Sequence, residues 1–153
     1  MHEEQACVAR TAIRGGLLAR SRKTAGWTQA QLAAQLGAAG RLRVGQWERG
    51  LEQPQPRYIP RLAAALHLDA LELLDVDVQN PPLQALRLAA GLTLAEVAAA
   101  TGMAYSTYCR LENGLVRANP HPETTDAVAH ALGRGTTDIL RAIAQTRLSR
   151  RDD

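Results

Sequence analysis

The sequence predicts an all-α protein made of two tandem five-helix units. Three observations predict it. The first is composition: 46% of the 153 residues are apolar, aromatics make up 3%, and Phe is absent. A core must then be built from Leu, Ala, Val and Ile, and Leu and Ala are strong helix formers. The second is an internal repeat, the signature of duplicated structural units. Ala25-Gly-Trp-Thr-Gln-Ala-Gln-Leu-Ala-Ala-Gln-Leu-Gly37 matches Ala90-Gly-Leu-Thr-Leu-Ala-Glu-Val-Ala-Ala-Ala-Thr-Gly102 at an offset of 65 (Gly26 to Gly91). Gln46-Trp-Glu-Arg-Gly50 matches Arg110-Leu-Glu-Asn-Gly114 at an offset of 64 (Gly50 to Gly114). The third is a pair of capping boxes, Thr28-Gln-Ala-Gln31 and Thr93-Leu-Ala-Glu96, each of which opens a helix.

The elements follow in order. A helix over Ile13–Ala25 leads into the first capping box, where Leu32 and Leu36 share one face. Gly37 ends that helix at a left-handed position. A short helix over Arg41–Arg49 comes next, with Val44 and Trp47 turned to the core, and Gly50 ends it. Helices near Ile59–Leu68 and Asp69–Leu74 complete the unit. The second copy runs in the same way through Leu83–Ala90, the capping box up to Gly102, Tyr105–Asn113, Glu123–Leu132 and Thr136–Leu148. There Tyr108 and Leu111 take the core positions. The expected domains are residues 12–75 and 82–148. Between them Asp75–Pro82 ends in two prolines, which stop one helix and can start another. About seven extended residues reach only about 23 Å, so the units must be close neighbours.

Charge and motifs exclude several function classes. No apolar run approaches the roughly 20 residues of a membrane span. The start Met1-His-Glu-Glu-Gln is unlike a signal peptide, so a cytoplasmic protein without a membrane partner is expected. Cys7 and Cys109 form no CxxC pair and are expected as free thiols. His2, His67, His121 and His130 show no metal spacing, and there is no phosphate loop or nucleophile elbow. The expectation is therefore no enzyme, no metal, no cofactor and no small-molecule ligand. The net charge is +3, and every basic residue except Lys23 is Arg. Arg reads guanine and phosphate bidentately, although genome base composition gives the same bias. Residues 1–76 carry ten Lys/Arg against seven Asp/Glu, whereas residues 77–153 carry eight against eight. The first unit has more of the charge that attracts phosphate.

Two short helices joined by a Gly-containing turn make a helix-turn-helix. The carriers Gly26, Thr28, Gln29, Leu32, Ala33, Gly37, Val44, Trp47, Glu48 and Gly50 resemble the lambda-repressor/Cro-like (XRE-type) helix-turn-helix family. So do Gly91, Thr93, Val97, Ala98, Gly102, Tyr108, Leu111, Glu112 and Gly114. The resemblance covers most of the chain. It implies two lambda-repressor-like DNA-binding domains, a nucleoid-associated transcriptional regulator acting as a repressor, and double-stranded DNA as partner. The second helix of each pair would enter the major groove. Carried over by position, the base readers are Arg41, Leu42, Arg43 and Gln46 in copy one, and Tyr105, Ser106, Thr107 and Arg110 in copy two. Phosphate contacts fall to Thr28, Gln29, Arg49 and Arg57, and to Thr93 and Arg117. Glu48 and Glu112 are expected to pair with Arg22 and Arg87 rather than to touch DNA.

Copy two departs from the pattern at Leu94, which stands where copy one has Gln29 and cannot donate to phosphate. Copy one carries an extra residue within Ala38-Ala-Gly40, which loosens the alignment of Arg41 and Leu42 by one place. A second reading therefore stays open. In it, copy one binds DNA while copy two serves dimerisation or protein interaction through Leu94 and the C-terminal helix; a homodimer is compatible with either reading. A third is the DNA-binding component of a toxin–antitoxin, plasmid or phage system.

Overall fold

The computed structural model describes residues 11–37 and 40–152. Among these are ten helices and no strand longer than one bridge. Copy one contributes α1 (Gly15–Thr24), α2 (Gln29–Leu36), α3 (Arg41–Glu48), α4 (Tyr58–Ala65) and α5 (Ala70–Leu73). Copy two contributes α6 (Leu83–Ala89), α7 (Leu94–Thr101), α8 (Tyr105–Glu112), α9 (Pro122–Leu132) and α10 (Thr136–Asp152). No single helix among the described residues is long and apolar enough to cross a membrane.

Local chemistry sets the boundaries. Both capping boxes form: the Thr28 hydroxyl accepts from the Gln31 N–H at 3.1 Å, and the Thr28 N–H donates to Gln31 Oε1 at 2.8 Å. Thr93 and Glu96 repeat the exchange at 3.1 and 3.0 Å. These satisfy donors that a helix start otherwise leaves orphaned. Asp69 caps α5 through the Leu71 N–H, and Pro122 sits in the first turn of α9 behind the cap residue His121.

The first helix starts later than the apolar pattern predicts. Residues 12–14 are taken by pairing with the end of copy one: the Arg14 N–H donates to the Leu73 carbonyl at 2.7 Å, and the Asp75 N–H to Ala12 at 2.8 Å. Ile13 thereby bridges Leu74, and α1 begins at Gly15. A Cβ on Gly15 would lie 2.5 Å from the Glu48 carbonyl oxygen, so the absent side chain lets α1 abut the end of α3. The last helix runs longer than expected, to Asp152 rather than Leu148. Nothing in Leu148-Ser-Arg-Arg breaks a helix. Ala38 and Ala39, which hold the extra residue of the first turn, lie outside the described residues.

The core is one contiguous apolar cluster that spans both copies. Leu18, Leu32, Leu36, Val44 and Trp47 fill copy one, while Leu83, Leu86, Val97, Tyr108 and Leu111 fill copy two. Trp47 packs on Tyr58 with ring centroids 5.6 Å apart. In copy two, the Thr146 hydroxyl accepts from the Leu83 N–H at 3.0 Å and donates to the Ala142 carbonyl at 2.8 Å, tying α10 to the start of α6.

The expected free thiol at Cys109 is not found. Cys109 is buried and disulfide-bonded, and Cys7 lies outside the described residues. A compartment argument from composition cannot see which thiols the fold brings within bonding reach.

After α4, His67 has φ +57, a left-handed backbone that L side chains disfavour. The equivalent position in copy two is Gly133, with φ +64. Relieving the Cβ clash in His67→Gly should stabilise the protein by about 1 kcal/mol. A urea midpoint that stays put or falls for this variant contradicts the strain.

Candidate nucleic-acid interface

The helices α3 and α8 are each held by the same three-way clamp. In copy one, Arg22 of α1 donates through Nε and Nη2 to the two carboxylate oxygens of Glu48 at the end of α3. Its Nη1 donates to the Trp27 carbonyl at 2.8 Å. In copy two, Arg87 Nε reaches Glu112 Oε2 at 2.7 Å, Nη2 reaches Oε1 at 3.0 Å, and Nη1 reaches the Leu92 carbonyl at 2.9 Å. One guanidinium therefore ties together the first helix of the copy, the end of α3 or α8 and the residue before the Thr cap. The bidentate fork sets orientation as well as distance. Both arginines are buried. The pairing of Glu48 and Glu112 with these arginines is as the sequence predicts; the carbonyl partners have no sequence signal, because a backbone acceptor leaves no residue signature.

Tyr108 lies beside the second clamp. Burial, and then the Glu112 carboxylate, pushes its phenol above the ordinary range, so it stays protonated. It is a core residue at this site, not an acid or base.

The first turn of α3 projects outward. Arg41, Leu42 and Arg43 are all exposed, with Leu42 at 74%. Gln46, one turn on, is half-buried. Gly40 starts α3 with no side-chain cap, and the Arg43 N–H donates to the Gly40 carbonyl at 3.1 Å. Beside this turn lies a cleft of about 670 Å³, lined by Arg22, Thr28, Gln29, Ala30, Arg41 and Arg49 among others. It brings the start of α2 together with α3.

The expected phosphate residues differ in how free they are. Thr28 is exposed but already caps α2. Gln29 donates its amide N–H to Glu48 Oε2 at 2.8 Å, so one donor is spent on the clamp. Arg49 is exposed and its Nε turns back to the Gly45 carbonyl at 3.2 Å. Arg57 donates to the Tyr58 hydroxyl at 3.0 Å, and its guanidinium lies 4.9 Å from that ring's centroid. It stands at the end of the loop rather than in the cleft.

In copy two, Tyr105, Ser106, Thr107 and Arg110 are exposed on α8, with Tyr105 at 43%. Thr93 is exposed and caps α7, and Arg117 is exposed in the loop beyond α8. Leu94 is half-buried and packs against the core cluster. The two copies thus present the same backbone motif with different chemistry, cationic in one and hydroxyl-rich in the other.

The geometry is that of a helix-turn-helix, and the comparisons agree. Residues 15–75 match a family model described as a helix-turn-helix domain. Residues 83–139 match a second one, described as helix-turn-helix. No curated protein and no solved structure matches the chain at a significant level. The chain carries two helix-turn-helix domains in tandem, the second of the Cro-like (XRE) kind. Helix-turn-helix domains imply DNA as a partner.

Two outcomes test this frame. Glu112→Ala strands a buried guanidinium and should cost about 3–5 kcal/mol, read from denaturant unfolding; a loss well under that range contradicts the clamp. Glu96 is a carboxylate whose pKa the backbone N–H and hydroxyl of Thr93 hold below 4.5, whereas copy one uses the uncharged Gln31. A depressed folded pKa contributes stability above the unfolded value that is lost as pH falls through the folded one. Glu96→Gln should therefore shrink the drop in stability between about pH 6 and about pH 3; an unchanged drop rules the effect out.

Proposed function

We propose that the chain is a sequence-specific double-stranded DNA-binding transcriptional regulator, acting as a repressor. The observation that carries this reading is the row of exposed side chains Arg41, Leu42 and Arg43 at the start of α3, beside a cleft headed by the N-terminus of α2. Arg pairs bidentately with guanine O6 and N7, Gln46 suits adenine N6 and N7, and Leu42 suits a thymine methyl. Phosphate is attracted by the N–H groups at the start of α2 and by the nearby cations Arg41 and Arg49. The clamp through Glu48 fixes the end of α3, so these side chains project from a rigid element. Occupancy of a promoter alone suffices to repress it, whereas activation needs a further surface for polymerase. A homodimer would place two copies of α3 on a palindrome, with half-sites about 34 Å apart.

The test begins by selecting bound sequences from a random duplex pool. Arg43→Ala should lower affinity for the selected duplex by about 1–3 kcal/mol and relax preference at one base position. Gln29→Ala should weaken selected and random duplexes alike. Equal losses on both duplexes for Arg43→Ala remove it from base reading. A reporter driven from a promoter carrying the selected site should fall in output when the protein is expressed, and a rise overturns the repressor assignment.

A further inference from the structure

The cleft beside α3 has a counterpart in copy two that shares five equivalent lining positions. Arg22, Thr28, Gln29, Ala30 and Arg41 line the first; Arg87, Thr93, Leu94, Ala95 and Tyr105 line the second. The residues lining the first cleft all belong to copy one's own helix-turn-helix. The second does not stand alone: its far wall comes from copy one, namely Ile13, Gln53, Pro54, Pro56 and Ile59. Its volume is about 310 Å³ against about 670 Å³.

Three further observations fit this wall. Leu94 replaces the amide of Gln29 with an apolar side chain, half-buried and packed on the core cluster. Just before it, a Cβ on Gly91 would lie 2.8 Å from Pro60 Cγ and 3.4 Å from the Pro56 carbonyl oxygen, so the copies meet there without room for a side chain. The Thr11 N–H donates to Gln84 Oε1 at 2.9 Å and closes the same seam from the other side. Prolines on the wall bring no N–H that a phosphate could use. Charge agrees, since the half of the chain holding copy two is balanced.

We infer that the phosphate cleft of copy two is the seat for the loop between α3 and α4 of copy one. Copy one alone then reads DNA, and copy two acts as an intramolecular support. The loop leaves the C-terminal end of α3, so fixing it places Arg49 and Arg57 relative to the reading helix. This inference rests on the DNA-reading role of α3 proposed above.

The experiment uses the full chain and the duplex selected from the random pool. The double variant Ser106→Ala/Arg110→Ala, on exposed α8 positions outside the cleft lining, should bind within about twofold of the parent, with an unchanged slope of log affinity against log salt. Hydroxyl-radical protection should stay within one major-groove face. Leu94→Arg separates the two roles by sign. A cation at a seat for Pro56 and Ile59 loosens the loop and should lower affinity several-fold, whereas a cation at a true phosphate contact raises affinity and steepens the salt slope. A tenfold loss in the double variant, protection of two successive grooves, or tighter binding by Leu94→Arg overturns the inference. Arg43→Ala in the same assay keeps the two readings apart. If it binds as the parent does, DNA reading by α3 fails, and this inference with it. If it weakens binding while the copy-two double variant also does, only the division of labour fails. Should Leu94→Arg not fold, the double variant and the footprint carry the test.

Discussion

The placement of the second helix of each helix-turn-helix depends on one buried guanidinium per copy. Arg22 and Arg87 each hold a carboxylate at the end of that helix, α3 or α8, and a carbonyl just before the cap of the preceding helix. A helix of eight residues is too short to be stable alone in water. Its direction must come from tertiary contacts, and an apolar face fixes depth better than rotation. Two N–H···O bonds to one carboxylate supply that rotation. Burial makes the arrangement all-or-none, because a lone charge in the same place would be far more costly than the pair.

Much of this was legible in the sequence. The repeat, the two capping boxes and the positions Val44, Trp47, Tyr108 and Leu111 define the helices and the core, because periodicity and caps are local signals. The acidic partners of Arg22 and Arg87 were legible too, since a carboxylate beside phosphate would be repelled and needs another role. What was not legible is long-range. The pairing of residues 12–14 with 73–75 displaces the start of α1, although Ile13 fits a helical pattern. The spending of a Gln29 donor on Glu48 depends on the approach of α2 to α3, which no spacing rule encodes. The disulfide at Cys109 depends on proximity alone.

Leu94 shows how a local exception carries tertiary information. In isolation it reads as a lost phosphate contact. In the fold it is a half-buried residue at the seam between copies, next to a glycine that admits no side chain against Pro60. A departure from a repeat is most informative where the two copies stop being equivalent in environment, and the seam is such a place.

The short bridge at Ile13–Leu74 has a mechanical consequence. The backbone enters and leaves copy one at a single neck, stapled by two main-chain bonds on either side of that bridge. Because the pair is antiparallel, a pull on the chain entering at Ala12 and leaving at Asp75 meets these bonds one after the other, peeling the neck before it reaches α1 or α5. A pull on the two ends of copy one therefore spends itself on this pair first, and α3 keeps its orientation until the pair opens.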